Sequence, residues 1–273
     1  YGFVVPDNKR ISFDIFIPGS QINDAKNNQK VVAQITEWPQ QNRNPEGKIT
    51  EILGYQDEKG VDIEAIIRQL ELPGDFPGRV KNELARMPET IPQEEINKRA
   101  DLRDLPMVTI DGEDAKVFDD ADSIEKLSDN MLRLGVHIAD VTHYVKEESN
   151  LDEEALHRGT SIYLVDRVIP MLPQKLSNNL CSLRPNEDRL AMTVFMDIQL
   201  NPLSLESYDI KPSVINSNHR MTYNEVTGIL VHENTELREL YDDFVDQLEL
   251  MNKLRDKLRS RRFNEGSIDF ERT

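Results

Sequence analysis

The sequence predicts an α+β chain, a small antiparallel β-barrel followed by a mixed α/β domain, and three observations carry that reading. Residues 1–55 are short β-rich runs separated by turns. After Gly60 the apolar spacing becomes helical, and Pro and Gly punctuate residues 56–100. From residue 101 onward, β-branched core runs alternate with helical stretches. At 273 residues the chain can bury a real core and hold two domains.

In the first region, Gly2–Val5, Ile11–Ile17, Lys30–Ile35 and Gly47–Leu53 read as strands. In the second, Ile63, Ile66, Ile67 and Leu70 lie at helical spacing within 62–72, and Pro73-Gly74 ends that helix. Residues 76–87 read as another helix, and Pro88 and Pro92 mark a polar connector. In the third region, 107–111, 132–141, 190–200 and 210–216 read as strands, and 151–158 and 222–231 as helices. The clearest helix spans 236–262, with Leu237, Leu240, Tyr241, Phe244, Leu248, Met251, Leu254 and Leu258 in one apolar stripe. Glu236 and Glu239 near its start, and Arg259, Arg261 and Arg262 near its end, suit the helix dipole. That stripe is core rather than a cofactor face.

No run of about 18 apolar residues occurs, so no membrane helix is expected. The start, Tyr1-Gly2-Phe3-Val4-Val5-Pro6, has no initiating Met or signal pattern and reads as an internal fragment. The lone cysteine, Cys181, excludes an intramolecular disulfide framework and fits a reducing cytoplasm; its apolar neighbours suit a core position. The net charge of −17 is concentrated, with 16 Asp and Glu against six Lys and Arg in residues 101–160 and eight against seven in residues 1–60.

That acidic excess centres on Val108-Thr109-Ile110-Asp111-Gly112-Glu113-Asp114-Ala115-Lys116-Val117-Phe118-Asp119-Asp120-Ala121. Carboxylates this dense raise one another's pKa unless cations sit among them. Hard oxygen donors favour Mg²⁺ or Mn²⁺, ions that commonly also hold substrate phosphates. A bound cation would reverse the local sign of charge. A solvated acidic turn is the plain alternative.

The flanking residues distinguish the two. Asp101-Leu102-Arg103-Asp104-Leu105-Pro106 precedes the segment; His137-Ile138-Ala139-Asp140-Val141 and Arg158-Gly159-Thr160-Ser161-Ile162-Tyr163 follow it. Val168-Ile169-Pro170-Met171-Leu172-Pro173, Leu176-Ser177-Asn178 and Leu180-Cys181-Ser182-Leu183 come next. In order and spacing, the chain from about Leu102 to its end resembles the RNB catalytic domain of the ribonuclease II/ribonuclease R family. Gly2-Phe3-Val4-Val5 with Asp14-Ile15-Phe16-Ile17-Pro18 resembles the two RNA-facing strands of a cold-shock OB barrel, here truncated at its N-terminus.

The resemblance implies three regions: a cold-shock-like OB domain at 1–55, a helical connector at 56–100, and the N-terminal part of the RNB domain at 101–273. It implies divalent-metal-dependent hydrolysis of RNA from the 3′ end to 5′ mononucleotides; the expected partner is single-stranded RNA, and a cytoplasmic, monomeric protein is expected. Asp111, Asp119 and Asp120 match three of the family's four active-site carboxylates. All three become candidate catalytic groups and ligands for Mg²⁺ or Mn²⁺, with Asp119 alternatively positioning water. Tyr163 matches an aromatic that stacks near the scissile phosphate, and Phe270 one that pins the terminal nucleotide. Phe3 and Phe16 are candidate base-stacking residues of the OB surface, with burial in the barrel the alternative for each. The family's cationic donor for the phosphorane comes from later sequence.

One position departs from the pattern: Val117 stands where the family has its fourth Asp. Residues two apart in an extended segment share a face, so Val117 places an apolar group where Asp119 points. Asp122 is a conceivable substitute. A non-catalytic RNA-binding module of the same fold is therefore the second reading, although a binder gains nothing from like charges beside phosphate. An isolated cold-shock-like chaperone leaves residues 101–273 unexplained. His137, Asp140 and His143 suggest a metal triad, but on a strand His137 and Asp140 face opposite ways, and no Cys-x-x-Cys completes a zinc site. Neither a Gly-x-Ser-x-Gly elbow nor a Walker loop is present.

Overall fold

The computed structural model describes residues 1–40 and 43–268. Two compact units emerge, one of residues 1–75 with 161–169, the other of 76–160 with 170–273. The stretch expected as a connector is thus divided. Residues 56–75 belong to the first unit and 76–100 to the second.

The first unit is built on β1 (Gly2–Val4), β2 (Ile15–Ile17), β3 (Gln29–Glu37) and β4 (Glu46–Tyr55), ordered β1-β2-β4-β3. Neighbours are antiparallel except β2 and β4, which run parallel at Phe16 and Glu46. Residues 18–28 carry the chain to the far edge before β3 begins, so β4, returning antiparallel to β3, meets β2 in the same direction. Gly47 permits that closure, since a Cβ there would sit 2.7 Å from the Gln34 carbonyl and 2.9 Å from Ile15. α1 (Val61–Gln69) buries Val61 and Ile67, whereas Ile66 and Leu70 of the expected stripe are exposed.

The second unit opens with α2 (Gly78–Ala85) and α3 (Gln93–Ile96). Next come β5 (Ala100–Leu102), β6 (Val108–Asp111), β7 (Asp120–Ser128) and β8 (Met131–Ala139), then α4 (Val141–Tyr144) and α5 (Asn150–Arg158). The hairpin β9 (Ile162–Tyr163) and β10 (Val168–Ile169) belongs to the first unit. The second unit resumes through a π-helical turn at Leu176–Leu180. It continues with β11 (Asp188–Leu200), β12 (Leu203–Asn216), β13 (His219–Thr222), α6 (Tyr223–Leu230), α7 (Thr235–Leu240) and α8 (Val245–Asn264). Its seven-stranded sheet has the order β13-β6-β7-β8-β11-β12-β5, parallel at both outer pairs and antiparallel within.

Side chains alternate across this sheet, and each face has its own core. Met107, Ala121, Ala139 and Ala191 join Leu151, Leu176 and Leu180 on one side. Val108 and Met221 join Ile229, Phe244 and Leu248 on the other. The long helix expected at 236–262 is broken at residues 241–244, where Tyr241 and Phe244 turn inward and are buried. Leu240, part of the expected stripe, is exposed. Among the described residues no helix is long and apolar enough to cross a membrane.

A buried polar ladder ties the middle of the sheet together. His137 on β8 pairs through Nε2 with Ser123 Oγ on β7 (2.9 Å) and through Nδ1 with Thr193 Oγ1 on β11 (2.8 Å). Thr193 continues to Ser213 Oγ on β12 (2.7 Å), and Ser213 donates to the Ala191 carbonyl. Burial lowers the His137 pKa to about 4 and keeps the ring neutral. Gly135 makes room, because a Cβ would lie 2.3 Å from Ser123 Oγ. Asp140 instead caps α4, accepting from the His143 amide and the Thr142 hydroxyl, and pairs with Arg99 at 2.7 Å. The metal triad considered for His137, Asp140 and His143 does not form.

Candidate active site

β6 runs into the acidic loop and ends at Asp111, and β7 leaves the loop at Asp120. The loop is clamped at both ends. At its start, one guanidinium nitrogen of Arg220, on β13, donates to the carbonyls of Gly112 (2.6 Å) and Glu113 (2.8 Å). Asn224 adds a bond to the Glu113 carboxylate. At its end, the Phe118 amide donates to Ser182 Oγ (3.1 Å), and the Phe118 carbonyl accepts from the Leu183 amide (2.8 Å). The Asp119 carbonyl then accepts from the Ala139 amide, which begins the β7–β8 ladder.

The carboxylates sense one another but do not form a cage. Burial, then the charge of Asp120, raises the Asp111 pKa, and the Arg220 cation works against that rise. Desolvation, then Asp120, raises Asp119. The same two causes push Asp122 up to about 6. Alternation sets Asp122 apart from Asp111. Asp120 and Asp122 share a face of β7, and Asp122 lies opposite Val108. Asp111, an odd step from Val108, takes the face of Thr109, while Asp120, where β7 begins, is the carboxylate whose charge most affects it. Among the described residues no three His, Cys, Asp or Glu side chains gather into a metal-holding group.

Asp111 nevertheless has an unmet need. Its Oδ2 is buried and has no hydrogen-bond partner. A buried oxygen of this kind normally finds a partner, and a hard cation would supply one. Mg²⁺ typically takes one or two protein carboxylates and leaves its other positions to water and phosphate. The donor set fits that kind of ion. Val117 is half-buried between the two clamped ends of the loop.

The aromatic candidates of the first unit form a patch. Phe3 and Phe16 are paired across β1 and β2, with ring centroids 5.7 Å apart, and Tyr1 lies about equally close to both. Phe3 and Phe16 border a groove of about 390 Å³ that also takes in Glu37, Trp38, Gln40 and Arg43. Phe3 is 54% exposed and Trp38 72%. Phe16 is half-buried, and its strand neighbours Ile15 and Ile17 point into the core. Tyr163 on β9 is 76% exposed at the hairpin where Arg167 pairs with Glu64 and Asp166. Phe270 lies outside the described residues.

Sequence reasoning missed Arg220, Thr109, Tyr1 and Trp38. Trp38 carried a signal, being the chain's single Trp in a polar setting before a proline. Arg220 carried none, since nothing in His219-Arg220-Met221-Thr222 announces contact with a loop more than 100 residues earlier.

The RNB domain model matches residues 99–273, and the cold shock domain model matches residues 3–77. The chain belongs to the RNB family. Ribonuclease R of Thermotoga maritima is 46% identical over 98% of this chain, which spans 38% of that protein's length. Ribonuclease R of Escherichia coli is 44% identical over 99% of the chain, which spans a third of it. The solved Mycoplasma genitalium RNase R in complex with double-stranded RNA superposes over 98% of this chain and 48% of its own, with a TM-score of 0.86 and 28% identity. Within the RNB family frame, the acidic loop, the Arg220 clamp and the Ser182–Leu183 clamp fall in the matched catalytic domain, and the aromatic patch falls in the cold shock domain.

Proposed function

We propose that the protein containing this chain hydrolyses RNA from its 3′ end, releasing 5′-nucleoside monophosphates with Mg²⁺ or Mn²⁺. The observation that carries this reading is the buried, unpartnered Asp111 Oδ2 beside Asp119 and Asp120 in an RNB domain. RNase R relatives solved with double-stranded and with ribose-methylated single-stranded RNA support RNA as the substrate. Held at this loop, a divalent cation would supply activation of water and stabilisation of the leaving 3′ oxygen. Asp111 and Asp120 are its proposed ligands, and Asp119 binds it or orients the attacking water. Tyr163 and Phe270 are proposed to stack on bases near the scissile end. Phe3 and Phe16, together with Tyr1 and Trp38, offer π-faces on which bases of a single strand stack. The lone buried Cys181 is consistent with a cytoplasmic setting.

Val117 supports the second reading, a catalytically impaired RNA-binding module. Release of mononucleotides from 3′-labelled single-stranded RNA by the full-length protein separates the two. Val117→Asp raises the rate roughly 10–100-fold if position 117 completes the ligand sphere. If neither form releases nucleotides while both still bind RNA, the binding-module reading holds.

A further inference from the structure

We infer that Arg220 is the positioning residue of the carboxylate loop, acting on the Gly112 and Glu113 carbonyls and on the side of Asp111 that faces β13. The inference rests on the exoribonuclease reading only in supposing that the loop does chemistry; its geometry is independent.

Three observations converge on it. First, β13 pairs in parallel with β6, with Arg220 opposite Thr109 and Thr222 opposite Asp111. Met221, between them, is fully buried in the core of the opposite face, so Arg220 and Thr222 share a face with Thr109 and Asp111. Second, the guanidinium makes two bonds to consecutive loop carbonyls and lies 5.6 Å over the Phe118 ring. One side chain therefore touches both the first and the last turn of the loop that carries the carboxylates. Third, four buried side-chain N or O atoms among the described residues have no partner, and three of them belong to Thr109, Asp111 and Arg220. Thr109 is wholly buried. Buried polar groups are nearly always satisfied. These three atoms lie on two paired strands around Asp111, and the Thr109 hydroxyl is close enough to Asp111 to lower its pKa.

Arg220 is itself fixed from behind. Thr222 caps α6 through a reciprocal capping box with Glu225, and Glu225 accepts from the Tyr241 hydroxyl. The loop's start is thereby referenced to α6 and the buried Tyr241, while its end is referenced to Ser182 and Leu183. Residues positioned this way contribute through the geometry of the groups they hold, and loss of such a partner costs roughly 10–100-fold.

The test uses the full-length protein with Arg220→Lys and Arg220→Gln. Lysine keeps the charge and a donor but lacks the planar fork that stacks on Phe118. Hydrogen–deuterium exchange should show faster exchange across residues 113–118 in the order Gln, Lys, wild type, with β8 and β11 unchanged. On RNA, kcat should fall roughly 10–100-fold in Arg220→Gln, partly recovered in Arg220→Lys, with KM held. Unchanged loop exchange overturns the inference, as does a raised KM at constant kcat. Should Arg220→Gln fail to fold, Arg220→Lys is read alone: faster loop exchange supports the inference and wild-type exchange overturns it. A wild-type protein that releases no nucleotides removes the exoribonuclease reading and leaves the exchange result standing. Normal exchange in the variants of an active enzyme removes this inference and leaves that reading standing.

Discussion

Two polar clusters sit on neighbouring strands of the same sheet, and they are built on opposite terms. The Ser123–His137–Thr193–Ser213 ladder is buried, neutral and satisfied at every atom, each hydroxyl or ring nitrogen meeting the next across four strands. The group around Asp111, Thr109 and Arg220 is charged and leaves one atom of each residue unpaired. The contrast teaches how to tell a structural polar cluster from a working one. A satisfied network rigidifies the fold. An unsatisfied one persists only where something else depends on it, and function is often held at the expense of stability.

The comparison breaks most sharply at His137. Replacing it with leucine leaves the Ser123 hydroxyl buried without a partner and the Thr193 hydroxyl with Ser213 alone, a cost of roughly 2–3 kcal/mol in unfolding free energy. Urea denaturation of His137→Leu measures this, and activity per folded molecule should be unchanged. A variant as stable as wild type would mean that the ladder contributes nothing to the fold.

Acid tests the same ladder without a mutation. The folded His137 pKa is depressed to about 4, against an ordinary value of 6.5. A depressed histidine leaves the unfolded chain binding more protons, so stability is full above pH 6.5 and falls as pH drops toward 4. Between pH 7 and pH 5 this group removes about 2 kcal/mol. Stability curves at the two pH values, with the His137→Leu protein as the reference lacking this titration, isolate the contribution.

The smallest effect has the opposite sign. Burial and the Asp120 charge raise the Asp111 pKa, so its ionised form opposes folding at neutral pH when no cation is present. Asp111→Asn should therefore stabilise the metal-free protein by roughly 0.5–1 kcal/mol. Thermal melts in chelator check this, and a clear loss of stability would put Asp111 among the structural groups.

These contrasts also show what was legible in the chain. Helices and core strands with regular apolar spacing, such as residues 151–158 and 190–200, could be read because burial writes its period into the sequence. β7 could not, since Asp120, Asp122, Glu125 and Lys126 interrupt its apolar pattern; its strand character comes from pairing with β8. The break between α7 and α8 was hidden because Tyr241 and Phe244 keep the helical stripe while the backbone departs from it. The acidic loop was legible as chemistry, yet which of its carboxylates act on one another follows from where β6 ends and β7 begins. Arg220 became visible only through the parallel pairing of two strands distant in sequence.

Mn²⁺ binding by the full-length protein, titrated by electron paramagnetic resonance with and without a non-hydrolysable phosphorothioate RNA, tests the central claim most directly. The account predicts weak binding to the protein alone, tighter binding once RNA phosphate completes the ion's shell, and loss of both in Asp111→Asn. Binding that ignores RNA and survives Asp111→Asn would contradict it.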